Sequence, residues 1–270
     1  MSWDERQRAM LAEMGLRVWS AVPAPLAEPV PVMDPAPVAA RAPVAAVQAL
    51  PERLRPAVAE PSPSPPADQA ERLPAIARMG WDELRRSAAE CRACGLCDGR
   101  SNSVFGSGPS SAHWLVVGEA PGEQEDAQGE PFAGQSAQLL GNMLRAIHLS
   151  VDPVQDPERQ VYLSSALKCR PPPGSTPGAA ELQQCRPLLA RQIELLKPRI
   201  ILAMGRLAVQ TLLGSNEPLG RLRGRVHDYQ GTPVIVTLAP GYLLRNLAEK
   251  ARAWEDLCLA QATLKGLGPP

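Results

Sequence analysis

Four of the six cysteines, Cys91, Cys94, Cys169 and Cys185, are spaced for metal ligation. Cys91 and Cys94 form a CxxC pair within CRACGLCDGR, and Cys169 and Cys185 bracket a proline-rich loop that begins KCRPPPG. Thiolates are soft donors, and a fold that brings a close pair to a distant pair builds a structural metal centre. Under reducing conditions such a pattern favours metal or redox roles over disulfides. Cys97 and Cys258 fit buried free thiols better. Ligand type alone leaves zinc and an iron–sulfur cluster both open.

Between the two pairs runs GEAPGEQEDAQGEPFAGQSAQLL, Gly118 to Leu140. Gly118 and Gly122 make a weak phosphate-loop signal, because no Walker lysine follows them. Glu123, Glu125 and Asp126 also fit an ordinary solvated acidic turn. Phe132, one of two phenylalanines, lies in a Gly/Pro loop and offers either a stacking face or a core plug. Tyr242, Leu243 and Leu244 fit a short core strand or a helix start.

The elements that must position these residues alternate. Trp114–Val117, Val161–Leu167, Arg199–Ala203 and Val234–Thr237 are compact apolar runs that read as buried strands. Ser136–Ile147, Leu182–Leu196, Leu207–Leu213 and Leu247–Leu264 read as helices. Strands separated by helices predict an α/β fold, a three-layer α/β/α domain with a central four-stranded parallel sheet. Ligands bind such sheets at the carboxyl ends of the strands. The loops over residues 118–134, 164–170 and 239–245 all follow predicted strands and converge on that edge.

Ala21 to Pro74 holds 14 of the 30 prolines and neither glycine nor cysteine, a composition that cannot bury enough apolar surface to offset its ordering entropy. The predicted organisation is therefore a short N-terminal docking peptide over 1–20, a disordered linker over 21–76 and one domain over 77–266. The first ten residues are charged and lack an apolar leader core, and no run approaches membrane-spanning length, which predicts a cytoplasmic protein with no membrane contact. Net charge is zero, with 28 basic and 28 acidic residues, yet Lys168 to Arg225 carries ten Lys and Arg against three Glu. That excess, densest at Arg221, Arg223 and Arg225, suits a phosphate-contacting face, with a solvated helix surface as the plainer reading for Arg186, Arg191 and Arg199.

From Trp81 to Leu264 the chain resembles the family 4 uracil-DNA glycosylases. The motifs that carry the resemblance are the CxxCxL start (Cys91–Leu96), GEAPGxxED with the following GxPFxG (Gly118–Gly134), KCRPP (168–172) with Cys185, and PxYLLRN (Pro240–Asn246). The resemblance implies a [4Fe–4S] cluster on Cys91, Cys94, Cys169 and Cys185, and excision of uracil from DNA by a chain acting as a monomer. It also implies roles. Phe132 would stack on the flipped base, backbone N–H groups around Glu119 and Ala120 would face a uracil carbonyl, and Glu119 or Glu125 would orient the water. Asp126 would brace the loop, Leu243 would be the wedge that fills the vacated stack, and Arg245 would bind phosphate. Residues 4–19, which include RQRAMLAEMGLRVW, faintly resemble the N-terminal peptide of a clamp-loader psi subunit, implying a replication partner; packing on the glycosylase domain is the alternative.

Two positions depart from the family pattern. Ser165 stands where the family carries a uracil-reading asparagine, and Ala239 stands where it carries the histidine of HPxYLLR. A serine hydroxyl cannot span the donor–acceptor pair that an amide spans, and alanine cannot donate to uracil O2. Loss of one such donor typically costs about 10²–10³ in rate. The expectation is a uracil-DNA glycosylase of reduced rate or altered base choice, with a catalytically inert, replication-associated DNA-binding adaptor as the alternative.

Overall fold

The computed structural model describes residues 67–152 and 156–268. The expected docking peptide, and the linker up to residue 66, lie outside these residues. The first described element, α1 (Ala67–Arg78), begins well inside the stretch expected to be linker. Its Ile76 is buried in a cluster with Leu84, Ala88, Leu182 and Leu188, and Arg72 donates to the Gln184 carbonyl at 2.9 Å. Burial of one apolar face thus holds a helix through Pro74, which composition alone assigned to the tether.

Helix α2 (Trp81–Glu90) precedes the thiol-rich loop, and β1 (Trp114–Gly118) opens the sheet. There follow α3 (Glu123–Gln128), α4 (Gly134–Ala146), β2 (Val161–Ser165), α5 (Ala179–Leu196), β3 (Ile200–Met204) and α6 (Arg206–Leu213). The short α7 (Leu219–Leu222), β4 (Val226–Tyr229), β5 (Thr232–Thr237), α8 (Pro240–Arg245) and α9 (Lys250–Gly266) complete the described chain.

The sheet has the order β2-β1-β3-β5-β4. Its first four strands are the expected parallel ones, with Gly118 level with Ser165 and Trp114 level with Ile200. A fifth, antiparallel strand, β4, pairs Val226 with Ile235 and Tyr229 with Thr232. Its sequence VHDY has no apolar run to betray it. It forms because Gln230 and Gly231, at φ 52° and 86°, close a two-residue hairpin against β5.

Alternation along the strands decides which helix covers which face. Leu115, Val117, Ile201 and Ala203 meet Leu189, Ile193 and Leu196 of α5 and Ala208, Val209 and Leu212 of α6. Trp114, Val116, Ile200 and Leu202 meet Leu140 and Leu144 of α4 and Leu257 and Ala260 of α9. Three layers result. Among the described residues no helix is long and apolar enough to cross a membrane.

Candidate active site and thiol centre

At the carboxyl edge of the sheet β1 ends on Gly118, whose backbone lies under the Phe132 ring. A Cβ on Gly118 would stand 2.8 Å from Phe132 Cζ, so only glycine lets the ring lie this close. Beyond it the chain turns through Glu119 and Ala120 into α3. Glu119 Oε1 accepts the Leu207 N–H at 3.2 Å, at the start of α6. That contact needs Gly205, which has φ +97° and lies where any Cβ would collide with the Glu119 side chain. Among the described residues the Ala120 N–H has no protein acceptor.

Glu125 has another task. Its Oε2 accepts the Gly122 N–H and its Oε1 the Ala133 N–H, each at 3.1 Å. Both oxygens are thus engaged in tying the start of α3 to the start of α4, whereas Glu119 keeps Oε2 without a protein donor among the described residues. Asp126 is buried and accepts the Ser101 amide at 2.9 Å and 3.0 Å and the Asn102 amide at 3.3 Å. It braces the loop, as the sequence suggested.

Ser165 ends β2 beside Gly118, buried, with its hydroxyl donating to the Leu167 carbonyl at 2.6 Å. Ala239 caps α8, its carbonyl accepting the Tyr242 and Leu243 amides at 3.0 Å and 3.1 Å. Leu243, the expected wedge, faces inward. It is fully buried with Leu238 and Ala253, because the helical turn from Ala239 points this side chain inward, while Tyr242 and Arg245 are exposed.

The expected arginine face divides. Arg221 and Arg225 are exposed. Arg223 instead reaches into the protein, where its Nε donates to Asp256 Oδ2 at 2.6 Å, the two side chains being 10% and 1% exposed. A charge engaged in this way is not available to a phosphate. Arg191 and Arg199 likewise pair with Glu194 and Glu158.

Sequence reasoning passed over Arg170 and Arg206. With Glu119, Ala120 and the loop over 171–177 they line an open cavity of about 540 Å³. Phe132 lines a separate recess of about 260 Å³ with Leu163 and Gly141. The signal for Arg206 was the MGR step after a buried strand, where a helix start presents its first side chain to the sheet edge.

Cys91, Cys94, Cys97, Cys169 and Cys185 all line one small cavity, so Cys97 is not set apart from the other four as expected, and Cys258 is exposed rather than buried. Three of the sulfurs face N–H donors. Arg100 Nη1 reaches Cys169 Sγ at 2.9 Å, the Lys168 amide reaches Cys185 Sγ at 3.3 Å, and Arg72 Nη2 reaches Cys91 Sγ at 3.5 Å. Burial pushes the free Cys185 thiol up to about 11, with Lys168 pulling it down, and raises Cys169 against the pull of Arg100. The cavity and its N–H donors would suit thiolate sulfur, burial alone favours the neutral thiols, and among the described residues no group of three or more His, Cys, Asp or Glu side chains is drawn together as one metal ion would need. Lys168, whose burial brings it down to about 8, holds its Nζ 2.7–3.0 Å from four acceptors that share its three N–H groups, Phe105 O, Ser164 Oγ, Ser165 O and Gln192 Oε1. It ties β2 and α5 to the loop before β1.

A model of the Uracil DNA glycosylase superfamily matches residues 105–258. The chain belongs to that superfamily, in its family 4 branch. It is 36% identical over 183 residues to the type-4 uracil-DNA glycosylase of Thermotoga maritima, covering 66% of this chain and 92% of the relative. Against the type-4 enzyme of Archaeoglobus fulgidus the identity is 35%, over 55% of this chain and 73% of the relative. Against that of Pyrobaculum aerophilum it is 34%, over 67% and 93%. In this family 4 chain the acidic loop with its phenylalanine, the KCRPP segment and the YLLR turn meet at one sheet edge. The four cysteines gather beside α1 and α2.

Proposed function

We infer that the protein is a uracil-DNA glycosylase that hydrolyses the N-glycosidic bond of deoxyuridine in DNA, as a step of base excision repair. The observation that carries this reading is the Glu119 carboxylate, fixed on the α6 amide, one residue along the chain from the Gly118 backbone on which the Phe132 ring is laid. Hydrolysis needs the nucleotide out of the stack, the departing uracil anion stabilised and a water delivered to C1′. Glu119 orients that water, the Ala120 amide faces the carbonyl on which charge develops, and Phe132 stacks on the base. Exposed Arg221, Arg225 and Arg245 bind phosphates, and Tyr242, 41% exposed, takes the wedge position in place of buried Leu243.

Ser165 and Ala239 set the rate. The Ser165 hydroxyl faces Leu167 and so offers uracil no donor–acceptor pair, and Ala239 offers no donor. Excision is slow, with base choice left to backbone groups. The inert adaptor is the weaker alternative, because the Glu119 loop and the stacking ring are both formed.

Cys91, Cys94, Cys169 and Cys185 hold a [4Fe–4S] cluster, which when bound cross-links the CxxC loop to the KCRPP loop. The protein works as a monomer in the cytoplasm, and residues 4–19 dock on the clamp loader.

Uracil-containing single- and double-stranded oligonucleotides should acquire alkali-labile sites with the wild type and not with Phe132→Ala or Glu119→Gln. Bound DNA without any base release would refute the activity. The anaerobically purified protein should be brown with about four irons per chain, and Cys169→Ser or Cys185→Ser should lose both. Colourless protein holding one zinc would refute the cluster.

A further inference from the structure

A groove of about 950 Å³ runs along α1 and α2, walled by Arg72, Arg78, Arg86 and Arg92, with Glu83 and Glu90 opposing them. Two of the six charges are engaged within the protein. Arg72 bonds Gln184 O and Cys91 Sγ, and Glu83 accepts the Gly80 amide at 3.2 Å. Arg78 and Arg86 have no ion-pair or hydrogen-bond partner among the described residues, and Arg92 meets only Asp98 at 3.8 Å, with both side chains largely exposed. A pair so exposed contributes little and yields readily to a better anion. The groove thus presents three available guanidinium groups against one uncommitted carboxylate, on a chain whose formal net charge is zero.

Its position relative to the site follows from shared residues. Cys91 and Gln184 line both this groove and the thiol cavity. Cys169, on that cavity, is followed directly by Arg170 and the loop that shares the open cavity with Glu119. Groove and thiol cavity therefore adjoin, and one peptide step, Cys169 to Arg170, separates the thiol cavity from the loop that lines the Glu119 cavity. We propose that the α1–α2 groove is a second nucleic-acid contact, which takes the phosphate backbone of the strand continuing beyond the Glu119 cavity. The inference rests on the reading of the protein as acting on DNA. Guanidinium forks match phosphate oxygens bidentately, and a succession of them on a path leading from a DNA site favours a repeating phosphate over an acidic peptide. Both helices precede residue 105, so apart from Gln184 the groove is lined by residues outside the part matched by the superfamily model.

The test is fluorescence anisotropy of the full-length, iron-loaded chain on a uracil-free single-stranded oligonucleotide of roughly 25 nucleotides, longer than the 4–16 that one site usually covers, with Kd followed against salt. The combined variant Arg78→Ala, Arg86→Ala, Arg92→Ala should lower the slope of log K against log salt by about 2, since each phosphate contact on a single strand contributes about 0.7. Lysine at the same three positions should restore the slope. Visible absorption equal to wild type shows that the centre is intact. A slope unchanged in the alanine variant while wild type binds overturns the groove and leaves the glycosylase reading standing. A wild type that does not bind DNA at all removes both. Competition by polyglutamate as strong as by DNA would make the groove an acidic-peptide site and also overturn the proposal.

Discussion

Gly205→Ala tests whether Glu119 is the carboxylate that positions water. Gly205 joins β3 to α6 at φ 97° and ψ 175°, a region nearly closed to residues with a Cβ, and holding alanine there costs about 1–3 kcal/mol. The new Cβ would lie 2.6 Å from Glu119 Cγ and 2.8 Å from Oε1. Carbon atoms rest at about 3.5–4.0 Å, so the carboxylate must retreat by roughly 1 Å. That displacement breaks the 3.2 Å bond from the Leu207 amide. A misplacement of about 1 Å at a reacting group can cost ~10² in rate, or about 2.7 kcal/mol of barrier. Gly214→Ala is the control: φ is +63° and nothing lies within 4 Å of its Cβ, so it should lose about 1–2 kcal/mol of stability and no rate. Single-turnover excision with enzyme in excess reads the rate, and urea unfolding reads the stability. If Gly205→Ala is destabilised yet excises within about threefold of wild type, Glu119 does not orient the water and its assignment fails.

Restoring Ser165→Asn and Ala239→His together should accelerate uracil release by more than the product of the single effects, because groups that act as a unit are non-additive; equal or slower release would show that the pocket lacks more than these side chains. Arg223→Ala leaves Asp256, 1% exposed, as an uncompensated buried carboxylate and should cost about 3–5 kcal/mol by urea denaturation, whereas Arg221→Ala and Arg225→Ala should each stay within about 0.5 kcal/mol. If all three alanine variants unfold alike, the buried pair is not what separates them. Deleting residues 1–66 should leave iron content and melting temperature unchanged, and deleting 1–78 should lower both, since only the longer deletion removes Ile76 from the core and Arg72 from Cys91 Sγ; equal behaviour of the two truncations would make α1 dispensable.

The sequence by itself determined the layers and the edge at which the site forms. Four apolar runs separated by helical periods admit few arrangements, and the motif loops follow the strands in the chain. Spacing also singled out four cysteines that the fold brings to one cavity, but not Cys97, which lines it with them. The tertiary structure decided what each polar side chain does once there. Glu119 and Glu125 look alike in GEAPGEQED, but one meets the amide of a helix 88 residues away and the other closes its own loop. Arg221, Arg223 and Arg225 look alike in RLRGR, but Asp256 on α9 withdraws the middle one. Leu243 is apolar in either setting, and only packing against Leu238 and Ala253 shows that it faces inward. Helix α1 and strand β4 were hidden for a related reason, since one depends on Leu182 and Leu188 of the distant α5 for its buried face and the other on a partner strand for its ladder. Local pattern fixes which backbone forms, whereas the partner of a charge or hydroxyl is set by long-range packing that no window of sequence contains.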